Sequence, residues 1–211
     1  MIASLKMCVM ILFHPIVVIE HIKKHRDEPQ FRRDSLILVL CLYALALIVN
    51  VASIYWTHFP LASVSVRKAN LLLECGKLLV PVLSWILASY AMTTILDGAT
   101  KMGEAFTYNT LALMPYIAFT LPVVLLSRLM DLGQSGVYHV LTGGMILWVI
   151  LLMCVGVKEM NGYSVPKTLL ILLLTVFTMV VLWATLMLLF TISSQFVTMI
   201  REVYYEIIYR F

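Results

Sequence analysis

Five stretches of the chain run for 16 or more residues without a charged side chain: 36–56, 78–96, 111–126, 140–157 and 169–192. A helical residue rises ~1.5 Å, and the hydrocarbon core of a bilayer is about 30 Å thick, so stretches of this length suit membrane crossings. The pattern predicts an all-α integral membrane protein with five transmembrane helices. We expect one polytopic domain over 1–211, with an N-terminal interfacial segment (1–34), a five-helix bundle (35–193) and an amphipathic tail (194–211).

The segment before the first stretch is apolar for 19 residues and then strongly basic. A cleavable signal peptide is a poor interpretation, because Lys6 and Pro15 interrupt the apolar part and no small-residue cleavage site precedes the charges. The spacing favours instead a helix that lies in the headgroup region. Five basic residues are expected to face anionic lipid from this helix: Lys23, Lys24, Arg26, Arg32 and Arg33.

The last stretch continues into an amphipathic tail. Apolar residues recur every three or four positions on one face, and charged residues occupy the other; the apolar ones are Phe196, Ile200, Val203, Ile207 and Phe211. A single helix over 167–211 would be ~67 Å long, more than the ~40 to 45 Å of a whole bilayer, so its end must bend into the interface or project. Two interpretations stay open, a tail lying on lipid and a tail docked on a partner, with Arg201, Tyr204, Tyr205, Tyr209 and Phe211 as interface candidates.

Composition supports the membrane assignment and suggests an orientation. The chain has 62% hydrophobic and 12% charged residues, whereas a soluble domain has about 25% charged. Basic loops are retained on the cytoplasmic side, and a cytoplasmic N terminus places nine of the 15 basic residues inside and six outside. We therefore predict a cytoplasmic N terminus and an extracellular C terminus. The net charge of +4 comes mostly from the N-terminal cluster, which indicates a membrane surface and not a nucleic acid as partner.

The polar residues within the stretches indicate packing, not catalysis. Hydroxyl and amide groups are present without a titratable group near any expected midplane, and we expect them to hydrogen-bond neighbouring helices. We find no HExxH, GxSxG or P-loop pattern, and the four cysteines stand alone, as small hydrophobes do. His21 and His25 have a spacing that a metal site permits, but the cations around them would repel a divalent ion. We predict no enzyme activity, no cofactor and no metal.

Two pairs of residues near the stretches have open interpretations. Glu74 and Lys77 stand three apart, so we expect them to pair on one helical face; a substrate site there is the alternative. Pro115 and Pro122 mark either a mobile joint or a kink that is packed against neighbouring helices.

The chain resembles the Yip1-domain family along nearly its whole length. After the second stretch it reads "DGATKMGEAF" and then "ALMPYI", similar to the family's Asp-Gly turn and the Pro-Tyr step that follows. "FHPIVVIEHIKKHRDEP" resembles the entry segment of the family, and "LWVILLMCVGVKEMNGYSVPKT" its fourth helix and a "Y...K" turn. The tail "SSQFVTMIREVYYEIIYRF" is similar to that of a bacterial branch. The signature residues are Asp97, Gly98, Phe106, Pro115 and Tyr116.

This resemblance implies a non-catalytic five-helix bundle in the bacterial plasma membrane. The bacterial branch is typically encoded beside carbohydrate ABC importers that use an extracellular binding protein, which implies an accessory or scaffold subunit. The implied partners are membrane lipid, importer permeases and an extracellular protein, with no nucleic acid. Two alternatives stay open from the residues themselves: a stand-alone channel or small transporter, and a membrane-shaping or trafficking protein acting through the basic N-terminal segment.

The signature turn is predicted to be an intracellular connection over 97–108 that holds two helices antiparallel. We expect Gly98 and Gly103 to supply backbone freedom and Asp97 to keep the turn in water. Phe106 or Tyr108 is expected at headgroup level.

Overall fold

A computed structural model describes residues 2–26, 28–57 and 70–210. These residues form eight α-helices and one short 3-10 turn, Leu132–Gln134, and no β-strand is found among them. The helices are α1 Ile2–Phe13, α2 Pro15–Lys24, α3 Pro29–Trp56, α4 Leu71–Ile95, α5 Met102–Leu111, α6 Met114–Ser127, α7 Ser135–Asn161 and α8 Val165–Arg210.

Five segments are long and apolar enough to cross a membrane: Pro29–Trp56, Leu71–Ile95, Met102–Ser127, Ser135–Asn161 and Val165–Glu206. This confirms the predicted all-helical class and the prediction of five segments long and apolar enough to cross a membrane. Each crossing helix begins or ends several residues beyond the uncharged stretch, because polar residues continue the helix past the apolar part. The orientation of the termini stays a prediction.

The N-terminal segment differs from the single helix that the sequence suggested. The helix is interrupted at His14, directly before Pro15. Proline has no backbone N–H with which to continue a helix, so a new helix, α2, begins at Pro15. Ile11, Ile19 and Ile22 are at most 1% exposed, and the two helices contact α3, α5, α6 and α7. The apolar side of the segment therefore packs against protein. Its placement at headgroup level stays a prediction.

The third crossing is also two helices and not one continuous span over 111–126. The break between α5 and α6 falls at Ala112 and Leu113, because Pro115 can donate no bond to the preceding turn. Leu111, Ala112 and Leu113 are at most 2% exposed, so the break is packed among neighbouring helices. Pro122 lies within α6 and does not interrupt it.

The helices pack around one main core, and successive crossings run in opposite directions. α3 packs against α5 and α6, α6 against α7, and α4 mainly against α8. Most of the core side chains come from α1 to α7, and a smaller cluster of Val157, Tyr163 and Ile171 lies where α7 passes into α8. The ends of α4 and α7 and the starts of α3, α5 and α8 therefore lie at the same end of the bundle.

α8 is the longest helix, 46 residues without interruption, or about 69 Å. Its buried side is a narrow stripe early in the helix, at Thr168, Ile171 and Thr175, and the last partly buried side chain is Leu182. From Trp183 to Tyr209 every side chain that the structure describes is exposed. The second half of α8 thus buries none of its described side chains against the rest of the described chain.

The hydroxyl groups in the crossings bond differently from the prediction. They donate to carbonyl oxygens three or four residues earlier in their own helix, at 2.5 to 3.1 Å for Ser84, Ser89, Thr93, Thr120, Thr175, Thr178 and Thr185. Thr120 also donates to Sδ of Met145 on α7 at 3.4 Å, as expected. For the other members of this set the expected bonds to neighbouring helices were wrong, because a carbonyl one turn earlier is within reach of a serine or threonine. Asn50 does reach another helix, since its Nδ2 donates to the main-chain oxygen of Glu74 at 3.5 Å.

Candidate functional site

Two connections meet at one end of the bundle, and the residues that join them are 61 to 70 positions apart in the sequence. The hydroxyl of Tyr163, between α7 and α8, donates to the carbonyl oxygens of Thr93 at 3.3 Å and Leu96 at 3.2 Å, at the end of α4. Burial, and secondarily the nearby charge of Asp97, raises the pKa of Tyr163. Lys167 lies over the Tyr163 ring, with its Nζ 4.5 Å from the centroid. The "DG" and "Y...K" turns therefore form one structure, here called the turn junction.

Asn161 supplies the second half of the turn junction. Its Oδ1 accepts from the backbone N–H of Thr100 at 3.2 Å and from the Thr100 hydroxyl at 2.8 Å. Its Nδ2 donates to the Val157 carbonyl at 2.9 Å, so both ends of the amide are used. α7 ends at this residue with Gly162 in the left-handed conformation, φ 67°, as is common after a helix. The turn after α4 is thereby held on the end of α7.

The predicted roles of the two turn glycines need correction. Asp97, and not Gly98, has the positive φ, 57°. Gly98 is required for space: a Cβ there would lie 2.7 Å from both Asn161 Oδ1 and the Thr93 carbonyl oxygen. At Gly103 a Cβ would meet nothing within 4 Å. Asp97 is exposed, and the turn itself is short, because α5 already begins at Met102.

Phe106 and Tyr108 are helix residues and not turn residues. Phe106 packs half-buried against the main core, and Tyr108 is 1% exposed. The Tyr108 hydroxyl donates to the Leu152 carbonyl of α7 at 2.6 Å. Its ring lies so close to Gly156 that a Cβ there would be 1.9 Å from Tyr108 Cε1. The early start of α5 carries Tyr108 into the bundle, and the expected headgroup level of Phe106 or Tyr108 stays a prediction.

A small cavity lies beside Tyr108. Its volume is about 20 Å³, and polar side chains of α4, α5 and α7 line it, among them Ser89, Thr93, Asn109 and Asn161. Asn109 is 5% exposed, its Nδ2 donates to Ala105, and its Oδ1 has no hydrogen-bond partner. The volume suffices for one water molecule, which would satisfy this oxygen.

The other signature residues lie away from the turn junction. Pro115 is buried at the start of α6, more than ten helical residues beyond the turn. Tyr116 lines an apolar groove of about 620 Å³ between α4, α6, α7 and α8, together with Trp85 and Trp183. Of the predicted signature set, the structure brings only Asp97 and Gly98 to the junction.

The basic N-terminal residues separate into three environments. Lys23 Nζ donates to the main-chain oxygen of Glu159 at the end of α7, so this ammonium is bound to protein. Arg26 and Arg32 line a groove of about 510 Å³ between α2, α3 and α5. Lys24 and Arg33 are exposed.

The rings of His21 and His25 lie against each other and against Phe31 in this region. The ring centroids of His21 and His25 are 4.3 Å apart, and both rings lie about 6 Å from that of Phe31. Burial, with smaller contributions from His25 and Lys24, lowers the pKa of His21. No group of three metal-ligating side chains is found among the residues described.

The tail candidates are all on the unpacked part of α8. Arg201, Tyr204, Tyr205 and Tyr209 are exposed, and the ring centroids of Tyr205 and Tyr209 are 6.3 Å apart. Phe211 lies outside the described residues.

At the start of α4, Lys77 Nζ and Glu74 Oε1 are 2.6 Å apart, which confirms the predicted pair.

Comparison with known proteins identifies no relative. No family model matches the chain, and no match is found among curated proteins or solved structures.

Three residues that organise this end of the bundle were missed from the sequence: Gly156, Asn161 and Tyr163. Tyr163 was noticed as part of a turn, but nothing in the sequence pairs that turn with the one at Asp97. Gly156 stands in an apolar run with no local signal, and its role appears only when Tyr108 is placed against it.

Proposed function

We propose that this protein is a non-catalytic accessory or scaffold subunit of a larger complex in the bacterial plasma membrane, associated with a carbohydrate ABC importer. The observation that carries the proposal is the second half of α8. The helix continues for about 42 Å over the 28 residues from Trp183 to Arg210, and every side chain that the structure describes in this half is exposed.

The length of α8 argues for a partner. A helix of about 69 Å exceeds the ~40 to 45 Å of a whole bilayer by about 25 Å if it stands upright. The excess would place Ile200, Val203 and Ile208, each about half exposed, beyond the membrane. Contiguous apolar surface in water is a feature of interaction sites, so a partner surface that covers this face would remove the cost of exposing it.

The importer assignment rests on the resemblance to the bacterial branch of the Yip1-domain family. Permease subunits would meet the lipid-facing part of α8, and an extracellular protein would meet its projecting end if the predicted orientation is correct. The tyrosines at 204, 205 and 209 suit such a contact, since aromatic residues are enriched in the centres of interfaces.

The test is site-specific crosslinking in the native membrane. A photoreactive residue replaces Tyr205 on the projecting part of α8 or, as the control, Leu172, which packs half-buried where α7 passes into α8. We expect the probe at 205 to crosslink stoichiometrically to integral membrane or extracellular subunits of an importer, which also co-purify in mild detergent. Tyr205→Asp should abolish the crosslinked complex formed from a probe at Tyr209, whereas Glu202→Gln should leave it intact.

Two results would overturn the proposal. One is a protein that purifies as a single 23.9 kDa chain with only lipid crosslinked to position 205. The other is crosslinking to subunits with no role in solute import, which would keep a scaffold but remove the importer.

A further inference from the structure

The buried side of α8 continues beyond the point where its packing ends. Residues seven apart lie on nearly the same side of a helix, shifted by about 20°. In one such series the first two residues are buried, the third is partly buried and the last three are exposed: Thr168, Thr175, Leu182, Leu189, Phe196 and Val203. The neighbouring series is partly buried at its first two residues and exposed at the others: Leu172, Met179, Leu186, Ser193 and Ile200. The side of α8 that packs against the bundle therefore stays apolar along the second half, with Ser193 as the exception.

The opposite side of α8 changes from apolar to polar at one level. In the first part it is exposed and apolar, as a surface that faces lipid must be, at Leu173, Phe177, Val180, Ala184 and Met187. Further along, the same side is exposed and polar, at Thr191, Ser194, Thr198 and Glu202. Polar side chains that face hydrocarbon are costly, so the change marks the level at which α8 leaves the hydrocarbon.

The start of α4 lies at the same level. α8 begins beside the end of α4, and further along Lys77 and Trp183 line one groove, so these two residues lie at a similar depth. α4 begins at Leu71, six residues or about 9 Å beyond Lys77. The corresponding point of α8 is Leu189, two residues before the polar side begins. Beyond this level the apolar side of α8 overhangs the end of the bundle.

Neither lipid nor a second copy of the chain suits this apolar side. α8 contains no glycine or proline after Pro166, so it has no site for the sharp bend that would lay its second half on the membrane. Two copies in one membrane have the same orientation, so paired α8 helices would place equal residues at equal depth. Pairing through Phe196 and Ile200 would then bring the first half of one α8 to the place that α4 occupies beside the other. What covers this side must lie beyond the end of the bundle.

We propose that the side of α8 formed by Phe196, Ile200 and Val203, here called the overhang face, binds an extramembrane protein that rests on the end of the bundle where α4 begins. These three side chains are each at least half exposed, and a partner that presents apolar side chains would remove them from water. The inference rests on the proposed function and deepens it, because it states which side of the projecting helix an extramembrane subunit covers.

The test places the same photoreactive residue on the two sides of α8, in membranes that contain the assembled complex. Phe196 and Ile200 are replaced on the overhang face, and Ser194 and Thr198 are the matched controls on the opposite side. We expect the probes at 196 and 200 to crosslink to one protein that alkaline carbonate washing releases from membranes kept in the dark. The probes at 194 and 198 should give no crosslink to that protein.

Two substitutions show whether the contact is apolar. Ile200→Asp should lower the crosslink yield from position 196 by about tenfold or more, because it would bury an unpaired charge in the contact. Thr198→Asp is the control and should leave that yield unchanged. Both residues are exposed in the structure, so neither variant should change the free energy of unfolding of the isolated chain.

Four results would overturn the inference: equal yields from the two sides, lipid alone at 196 and 200, a crosslinked second copy of this chain, or a partner that stays in carbonate-washed membranes. Position 205 belongs to the opposite side and reports on the proposed function separately. Crosslinks from 205 to importer subunits alongside any of these four results would leave the proposed function standing. Crosslinks from 196 and 200 to an extramembrane protein with no role in solute import would support the overhang face and overturn the importer assignment.

Discussion

Replacing Gly156 with alanine tests the closest contact between α5 and α7. The added Cβ would lie 1.9 Å from Cε1 and 2.3 Å from Cδ1 of Tyr108. Cβ atoms essentially never approach other atoms this closely, so the tyrosine ring or one of the two helices must move. The ring has little freedom, because it is 1% exposed and its hydroxyl is bonded to the Leu152 carbonyl on the same helix as Gly156.

The expected cost combines three effects. Overpacking a close contact costs about 1 to 3 kcal/mol. A displaced Tyr108 would also lose its hydrogen bond, for which ~0.6 kcal/mol is typical between membrane helices. Alanine is a better helix former than glycine by about 0.8 to 1 kcal/mol, which offsets part of the loss. We expect Gly156→Ala to lower the free energy of unfolding by about 2 kcal/mol.

The measurement is equilibrium unfolding in mixed micelles, with SDS as denaturant and tryptophan fluorescence as the signal. Gly143→Ala and Gly144→Ala are the matched controls on α7, since a Cβ at either position would meet nothing within 4 Å. These variants should be as stable as the wild type or slightly more stable. In a Tyr108→Leu background the cost of Gly156→Ala should largely disappear, because the atoms that clash are gone.

A Gly156→Ala protein within about 0.5 kcal/mol of the wild type would refute the reasoning, since surface substitutions alone produce changes of that size. An equal loss in the Tyr108→Leu background would also refute it, by showing that the cost does not come from the tyrosine ring.

Three further predictions concern the turn junction and the N-terminal helices. Gly98→Ala should destabilise the protein by about 1 to 3 kcal/mol in the same titration, because its Cβ would lie 2.7 Å from a backbone carbonyl, whereas Gly103→Ala should have little effect. Tyr163→Phe removes the hydrogen bonds to Thr93 and Leu96 and should cost about 1 kcal/mol; hydrogen exchange should become faster in residues 96–101, and unchanged exchange there would contradict the assignment. Burial lowers the pKa of His21, so the folded state resists protonation of this side chain. The stability that neutral His21 contributes is present above the ordinary histidine pKa of about 6.5. It is lost as pH falls through the lower pKa of the folded state. Between pH 7.5 and 5.5 the midpoint temperature of thermal unfolding should therefore fall less in His21→Gln than in the wild type. An equal fall in the two proteins would exclude this role of His21.

Some features of the bundle follow from local sequence alone. The uncharged stretches predicted all five crossings, because a bilayer core excludes charge and leaves the backbone no hydrogen-bond partners other than its own. The pair of Glu74 and Lys77 was predictable for a similar reason, since both residues belong to one helical turn. In each case the controlling interaction spans only a few residues.

The wrong predictions concern features for which the local sequence allows two structures and the packing of the helices decides between them. Pro15 and Pro115 were visible as helix breakers, yet whether each breaks the helix or merely bends it depends on what packs around it, and Pro81 and Pro122 remain inside their helices. The serine and threonine hydroxyl groups could donate either to a carbonyl of their own helix or to a neighbouring helix, and most donate to their own helix. The apolar face of the N-terminal segment suits lipid and protein equally well, so the pattern could not distinguish between them.

The sequence by itself determined that this chain is helical and has five segments long and apolar enough to cross a membrane, because hydropathy and helical rise are properties of each segment. Only the tertiary structure decided that the turn at Asp97 rests on Asn161 and Tyr163, that Tyr108 lies on Gly156, and that Arg26, Arg32 and Lys101 share a groove with Glu104. These residues are far apart in the chain, and their contacts depend on how the helices are arranged relative to one another. No repeating pattern along a single helix encodes that arrangement.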